Sequence, residues 1–255
     1  MDRRQFGTMG IAAAIGSSSE VLSNSEKAQN FFELRNYLLR RDIDVARINQ
    51  FFEKDYLPEM RRQGLGPIGC FNVVTGQPSP SLLLLLQYDS LAQVKANTDL
   101  DAATSGFSKA WKEFESGPLP YIRYESTLLK AFSAYPSIEL PPASEKRKLF
   151  ELRIYESKNA VQSAAKIEMF NLEEIKIFKD CGMHLVFLGE GLFGTGLPQM
   201  TYMLAFEDME DRARGWQRFS RNKDWNRIKD DPRWLDTVSS IHSSFFSPTE
   251  YSDIQ

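Results

Sequence analysis

The chain is poor in the side chains that usually announce a chemistry. It has only two cysteines and two histidines in 255 residues. Cys70 and Cys181 form no C-x-x-C, and neither stands at metal-ligand spacing from a histidine. Zinc-ribbon, iron–sulfur and dithiol readings therefore have no residues to rest on, and no metal site is expected. The two cysteines could form at most one bridge, and as small buried side chains they need none. Positive charge is not in excess either. The formal net charge is -3, which removes the electrostatic support that nucleic-acid binding needs. Past the N-terminus no apolar run is long enough to cross a bilayer, so the mature protein is expected to carry no membrane span. The 42% apolar and 25% charged residues are instead those of an ordinary globular chain.

What is present begins at the N-terminus. Asp2-Arg3-Arg4-Gln5-Phe6 precedes Gly10-Ile11-Ala12-Ala13-Ala14-Ile15-Gly16 and a run of serines. A charged start, a short apolar stretch and small residues describe a cleaved export signal. The Arg3-Arg4-x-Phe6 pattern resembles a twin-arginine signal, with Asp2 where that signal usually has serine or threonine. Residues 1–28 are set aside from the fold on this reading. The expected location is periplasmic or otherwise exported; the alternative is a cytoplasmic tail without fixed structure.

The rest is organised around one strand that occurs twice. Phe32-Glu33-Leu34-Arg35-Asn36-Tyr37 returns as Phe150-Glu151-Leu152-Arg153-Ile154-Tyr155, an offset of 118 (150 minus 32). Alternate side chains of a strand face opposite ways. Phe and Leu share one face in both copies, while Glu, Arg and Tyr share the other. The elements around the strand repeat as well. A helix follows, expected to start near Ile43 under an Asp42 cap, with Pro58 kinking it or opening a second segment, and Gly64 at its end. Ile68 to Thr75 reads as a strand. The Leu82–Leu86 run reads as a buried strand, because it is apolar on both faces. A helical region spans about Ser90 to Glu115, and Tyr121 to Lys130 is the last strand of the unit. After a proline-rich linker at 136–146 the same order returns, with strands from Lys148, His184, Met200 and Thr237. Each copy is thus β-α-β-β-α-β, the ferredoxin-like pattern. The expected architecture is α+β: repeats at 29–135 and 147–248, packed sheet to sheet within one chain.

These residues resemble the NIPSNAP family of the dimeric α/β-barrel superfamily. The Phe-Glu-Leu-Arg-x-Tyr opening carries most of the likeness. Tyr56-Leu57-Pro58, Gly64 and Gly69-x-Phe71 add to it in the first copy, and Asp231-Pro232-x-Trp234 and Phe246-Ser247-Pro248 in the second. The second copy has Ile175-Lys176 in place of Leu57-Pro58, and the first lacks the Asp-Pro-x-Trp segment. The resemblance implies a dimeric α/β barrel. It implies no agreed reaction and no catalytic set.

Candidate site residues follow from the strand. Glu33, Arg35 and Tyr37, with Glu151, Arg153 and Tyr155, could grip a small organic ligand in or beside the barrel. The plainer reading is a structural ion pair with packed tyrosines. Because helices cover only one side of such a sheet, the Phe–Leu face is expected beneath them and the polar row inside the barrel. His184 and His242 are weak catalytic candidates, as a general base or an axial haem ligand, but lone histidines are more often incidental and no cofactor is expected. Gly189-x-Gly191-x-x-Gly194 has dinucleotide-motif letters without the helix that must follow. Arg212, Arg214 and Arg218 read as a solvated helix face, and the four tryptophans as helix-layer packing. A small-molecule binder leads. A cofactor-independent monooxygenase or isomerase is the alternative, and a non-catalytic structural or partner-binding module the third reading. A homo-oligomer is compatible with all three.

Overall fold

The computed structural model describes residues 30–42, 44–98 and 105–255. The export-signal reading at 1–28 lies outside these residues. The first half contributes strands β1 (Phe31–Leu39), β2 (Gly69–Thr75), β3 (Ser81–Tyr88) and β4 (Tyr121–Ala131). The second contributes β5 (Leu149–Glu156), β6 (His184–Phe193), β7 (Gln199–Phe206) and β8 (Ser240–Pro248). They close into an antiparallel barrel in the order β1-β3-β2-β8-β5-β7-β6-β4. Within each half the first strand is central: β1 lies between β3 and β4, and β5 between β7 and β8. The halves meet at two seams, β2 with β8 and β4 with β6. The all-apolar β3 run and its counterpart β7 are buried almost throughout, as strands covered on both faces must be.

Helices lie outside. The first half has α1 (Ala46–Phe51), α2 (Leu57–Arg62), α3 (Leu91–Thr98) and α4 (Ser105–Glu115); the second has α5 (Ala160–Met169), α6 (Ile175–Asp180), α7 (Met209–Arg221) and α8 (Lys223–Ile228). No helix among the described residues is long and apolar enough to cross a membrane. The first helix does not begin under Asp42. That carboxylate takes two hydrogen bonds from Arg40, and Asp44 instead accepts from the Ala46 backbone N–H. Pro58 stands in the first turn of α2 and so opens a second segment. A π-helical segment, Phe52–Tyr56, joins α1 to α2 just before it. Proline is not the cause, because Phe170–Glu174 makes the same π segment before Lys176, where no proline stands.

The barrel lumen reverses one expectation. Phe32, Leu34, Phe71, Leu85, Phe150 and Phe187 belong to one core cluster drawn from both halves, so the Phe–Leu face points inward. Tyr37, Leu82, Leu84 and Tyr88 pack instead with Ile48, Phe52 and Leu57 of the helix layer. The polar row therefore lies under the helices. The physical reason is partner supply: a lumen made of two facing sheets offers each charge only strand neighbours, whereas helices can lower donors onto it.

Matched crossings tie the halves together. The Phe132 N–H donates to the Leu188 carbonyl at 3.2 Å, and the Thr249 N–H to Cys70 at 2.9 Å. Glu139 to Val186 and Asp253 to Ile68 repeat the pair farther on. Ile138 of the linker and Ile254 of the C-terminal tail then join the lumen cluster. Cys70 and Cys181 are both free and buried.

Candidate functional site

Two carboxylates organise the layer between sheet and helices. In the first half, Arg35 holds Glu33 with two hydrogen bonds, 2.9 Å from Nε and 3.0 Å from Nη2. Tyr88 and Ser126 donate their hydroxyls to the same carboxylate at 2.8 and 2.7 Å. The remaining Arg35 arm, Nη1, donates to the Tyr56 hydroxyl at 2.9 Å. Tyr56 ends the π segment, so that irregular turn aims the phenol at the guanidinium. Tyr37 packs its ring against Phe52, Tyr121 and Tyr124, with centroids 5.2 to 5.3 Å away. Burial raises the Glu33 pKa and Arg35 with its hydrogen bonds lowers it; the net shift is downward.

In the second half the same carboxylate is satisfied differently. Glu151 is 0% exposed and receives Arg153 at 2.7 Å, Arg212 at 2.7 and 2.8 Å, Trp216 at 3.1 Å and Ser243 at 2.8 Å. Burial opposes its charge, but Arg212, Trp216 and Arg153 outweigh burial and hold the carboxyl down at about 2. Arg212 is thus not part of a solvated face, and Trp216 is more than packing. Arg214 does remain on the surface, paired with Glu210. Arg153 also donates to the Tyr155 hydroxyl, which meets Tyr202 at 2.8 Å. The π segment here ends in Glu174, whose partner is the buried Lys166 at 2.9 Å. Burial raises the Glu174 pKa despite that lysine.

Repeat correspondence could have found some of these partners. Ser126 and Ser243 are 117 apart (243 minus 126) and each opposes the arginine of its half across the sheet. Tyr56 and Glu174 are 118 apart. Arg212 and Trp216 have Val94 and Thr98 at the matching positions, so nothing in the first copy pointed to them.

The histidines stand apart from both carboxylates. His184 Nε2 lies 3.1 Å from the Glu139 carbonyl. His242 Nε2 is 3.2 Å from both Ser240 Oγ and Glu156 Oε1. One ring nitrogen facing both partners is not a relay, which needs a different nitrogen for each. The glycines of the GxGxxG letters sit on β6 and in its turn, where Gly189 and Gly191 crowd Leu129, Leu197 and Gln199.

A cleft of about 850 Å³ opens beside the barrel in the first half. Leu38, Leu39, Leu119, Tyr121 and Ile122 give it apolar surface, and Arg40, Arg41, Asp42 and Glu115 give it charge. Its Tyr121 ring touches Tyr37, the last member of the polar row. Gly117 also lines it. Counting back from the last strands by the same 117, Gly117 corresponds to Trp234, which is 4% exposed within the helix-layer core of the second half.

The NIPSNAP family model matches residues 150–253. The match covers less than half of the chain and lies in its second half. No curated protein matches the chain. Among solved structures, a candidate monooxygenase from Lactobacillus acidophilus NCFM aligns over 86% of this chain and 94% of its own, with TM-score 0.57 and 9% identity. Another from Fusobacterium nucleatum subsp. nucleatum ATCC 25586 covers 87% and 93%, with TM-score 0.55 and 8% identity. A NIPSNAP family protein of unknown function from Agrobacterium tumefaciens str. C58 covers 44% of this chain and 97% of its own, with TM-score 0.40 and 21% identity. At such identities the likeness to the two monooxygenase candidates is one of fold, extending over both halves of the barrel. The matched segment contains Glu151, Arg153 and Tyr155; the first half supplies Glu33, Arg35 and Tyr37 in the same strand position.

Proposed function

We propose that this is an exported NIPSNAP-type protein that binds a small organic ligand beside its barrel, in the first half. The observation that carries the reading is the cleft lined by Tyr121, whose ring packs on the buried Tyr37. Its volume suits a drug-sized molecule, and it combines apolar surface with a few polar groups, as ligand sites do. The lumen is a poor alternative because phenylalanines, leucines and a methionine fill it. On this reading the Glu33–Arg35 pair fixes the strand that backs the site, and Tyr37 passes that order to Tyr121. The matching region of the second half, with Trp234 buried, serves stability. Fold likeness to candidate monooxygenases supplies no reaction here.

Native mass spectrometry of protein purified from its source tests the proposal. A small molecule should travel with the folded chain. Ile122→Asn, at a position 65% exposed, should release it without unfolding the protein. Absence of any bound mass, or a bound mass indifferent to Ile122→Asn, contradicts the site. Export is tested separately. Replacing Arg3 and Arg4 by lysine should leave the protein in the cytoplasm, and an unchanged location would sink that half of the proposal.

A further inference from the structure

The charges around the cleft are not all spoken for. Arg40 is held by Asp42 through hydrogen bonds of 2.9 and 2.6 Å, and those two charges neutralise each other. Arg41 is different. Its Nη2 donates to the Ser79 carbonyl at 3.3 Å, which fixes the side chain at the cleft, and among the described residues no carboxylate pairs with it. Glu115 lines the same cleft and has no cation partner among the described residues. Elsewhere the chain pairs its arginines readily: Arg61 with Asp253, Arg62 with Glu59, Arg227 with Glu173 and Arg233 with Asp231. A planar fork of donors beside apolar surface is suited to a carboxylate whose body is apolar.

We infer that the cleft takes an organic acid: an apolar ring or chain whose carboxylate meets Arg41, with a hydroxyl able to donate to Glu115. Leu38, Leu39, Leu119 and Ile122 receive the body. This rests on the cleft being the ligand site and adds the class of ligand. The wall is fixed from behind, since Arg47 donates to the Pro118 and Phe114 carbonyls and so holds the Gly117–Leu119 turn.

The test uses the full chain and two probes, 6-hydroxy-2-naphthoate and 2-naphthol, titrated by fluorescence. The naphthoate should bind about fivefold more tightly than the neutral naphthol, the effect of one partly exposed charge pair. Arg41→Gln should bring the naphthoate affinity down to that of the naphthol, and raising salt should weaken only the naphthoate. Ile122→Asn should weaken both probes. If both probes bind alike and Arg41→Gln leaves the naphthoate affinity where it was, the acid assignment is overturned and the cleft survives as a site for neutral ligands. If neither probe binds the wild-type chain, the acid assignment and the cleft fall together. Near-ultraviolet circular dichroism of each variant separates lost binding from lost fold.

Discussion

Glu33 and Glu151 hold the same place in their halves and answer the same physical demand by different means. A carboxylate removed from water must have its lone pairs filled, and each has an arginine two residues on and a serine on the neighbouring strand. The rest differs: Tyr88 completes Glu33, whereas Arg212 and Trp216 complete Glu151. Removing Arg35 leaves Glu33 with the neutral donors Tyr88 and Ser126 alone, so Arg35→Ala should cost about 3–5 kcal/mol in denaturant unfolding, whereas Arg153→Ala should cost less because Arg212 still neutralises Glu151. Arg214→Ala, with its side chain 50% exposed, should stay within about 0.5 kcal/mol. Equal effects from all three would refute the structural role given to the pairs. Acid provides a second check. The Glu151 carboxyl is depressed in the folded chain to about 2, below its unfolded value. Its contribution is therefore complete above the unfolded carboxylate range and is lost as pH falls toward 2. Glu151→Gln should flatten that part of the stability–pH curve; an unchanged acid limb would mean other carboxylates govern it. The sequence disclosed which residues alternate. It could not disclose which face the helices cover, because a period of two is the same on either side of a sheet.

At the scale of elements, the two β-hairpin loops lock the halves together. Gly76, between β2 and β3, has φ +140° and lies against Ser244 of β8; Gly194, between β6 and β7, has φ +144° and lies against Thr127 of β4. Each glycine thus meets the last strand of the opposite half. A Cβ at Gly194 would sit 2.8 Å from Thr127 Oγ1, in a backbone region that side chains rarely adopt. Gly194→Ala should destabilise by about 1–3 kcal/mol. Adding Thr127→Ala, which deletes both the hydroxyl and the methyl that crowd the new Cβ, should recover part of that, leaving the backbone share. No recovery at all would mean that conformation alone sets the cost. Gly76 and Gly194 stand 118 apart (194 minus 76), as do Pro80 and Pro198, so their correspondence can be read from the sequence. Their contact across the seam cannot, since it depends on barrel closure. The π segments were equally hidden, because Pro58 marks the place only in the first half and the second half makes the same segment without proline.

At the scale of the molecule, duplication was the most legible feature, and closure follows from it. Each half is a four-stranded sheet with helices on one side only, and its other side is apolar. In the first half that side presents Phe32, Leu34, Phe71, Leu83, Leu85 and Leu129. No soluble monomer leaves such a face open, and exposing it would also free the β2 and β4 edges that now pair with β8 and β6. The linker and tail add to the dependence. Ile138, which follows the first half, and Ile254, which follows the second, both enter the shared lumen, and the tail reaches back to Ile68 and Cys70. Residues 30–135 expressed alone should therefore aggregate or form a homodimer, with two copies of one sheet substituting for the two repeats. The barrel order favours the dimer, because a half-turn about the barrel axis maps β1, β3, β2 and β4 onto β5, β7, β6 and β8. Size-exclusion chromatography with light scattering distinguishes the outcomes. A stable, well-behaved monomer of 30–135 would mean that the face inferred to require its partner does not.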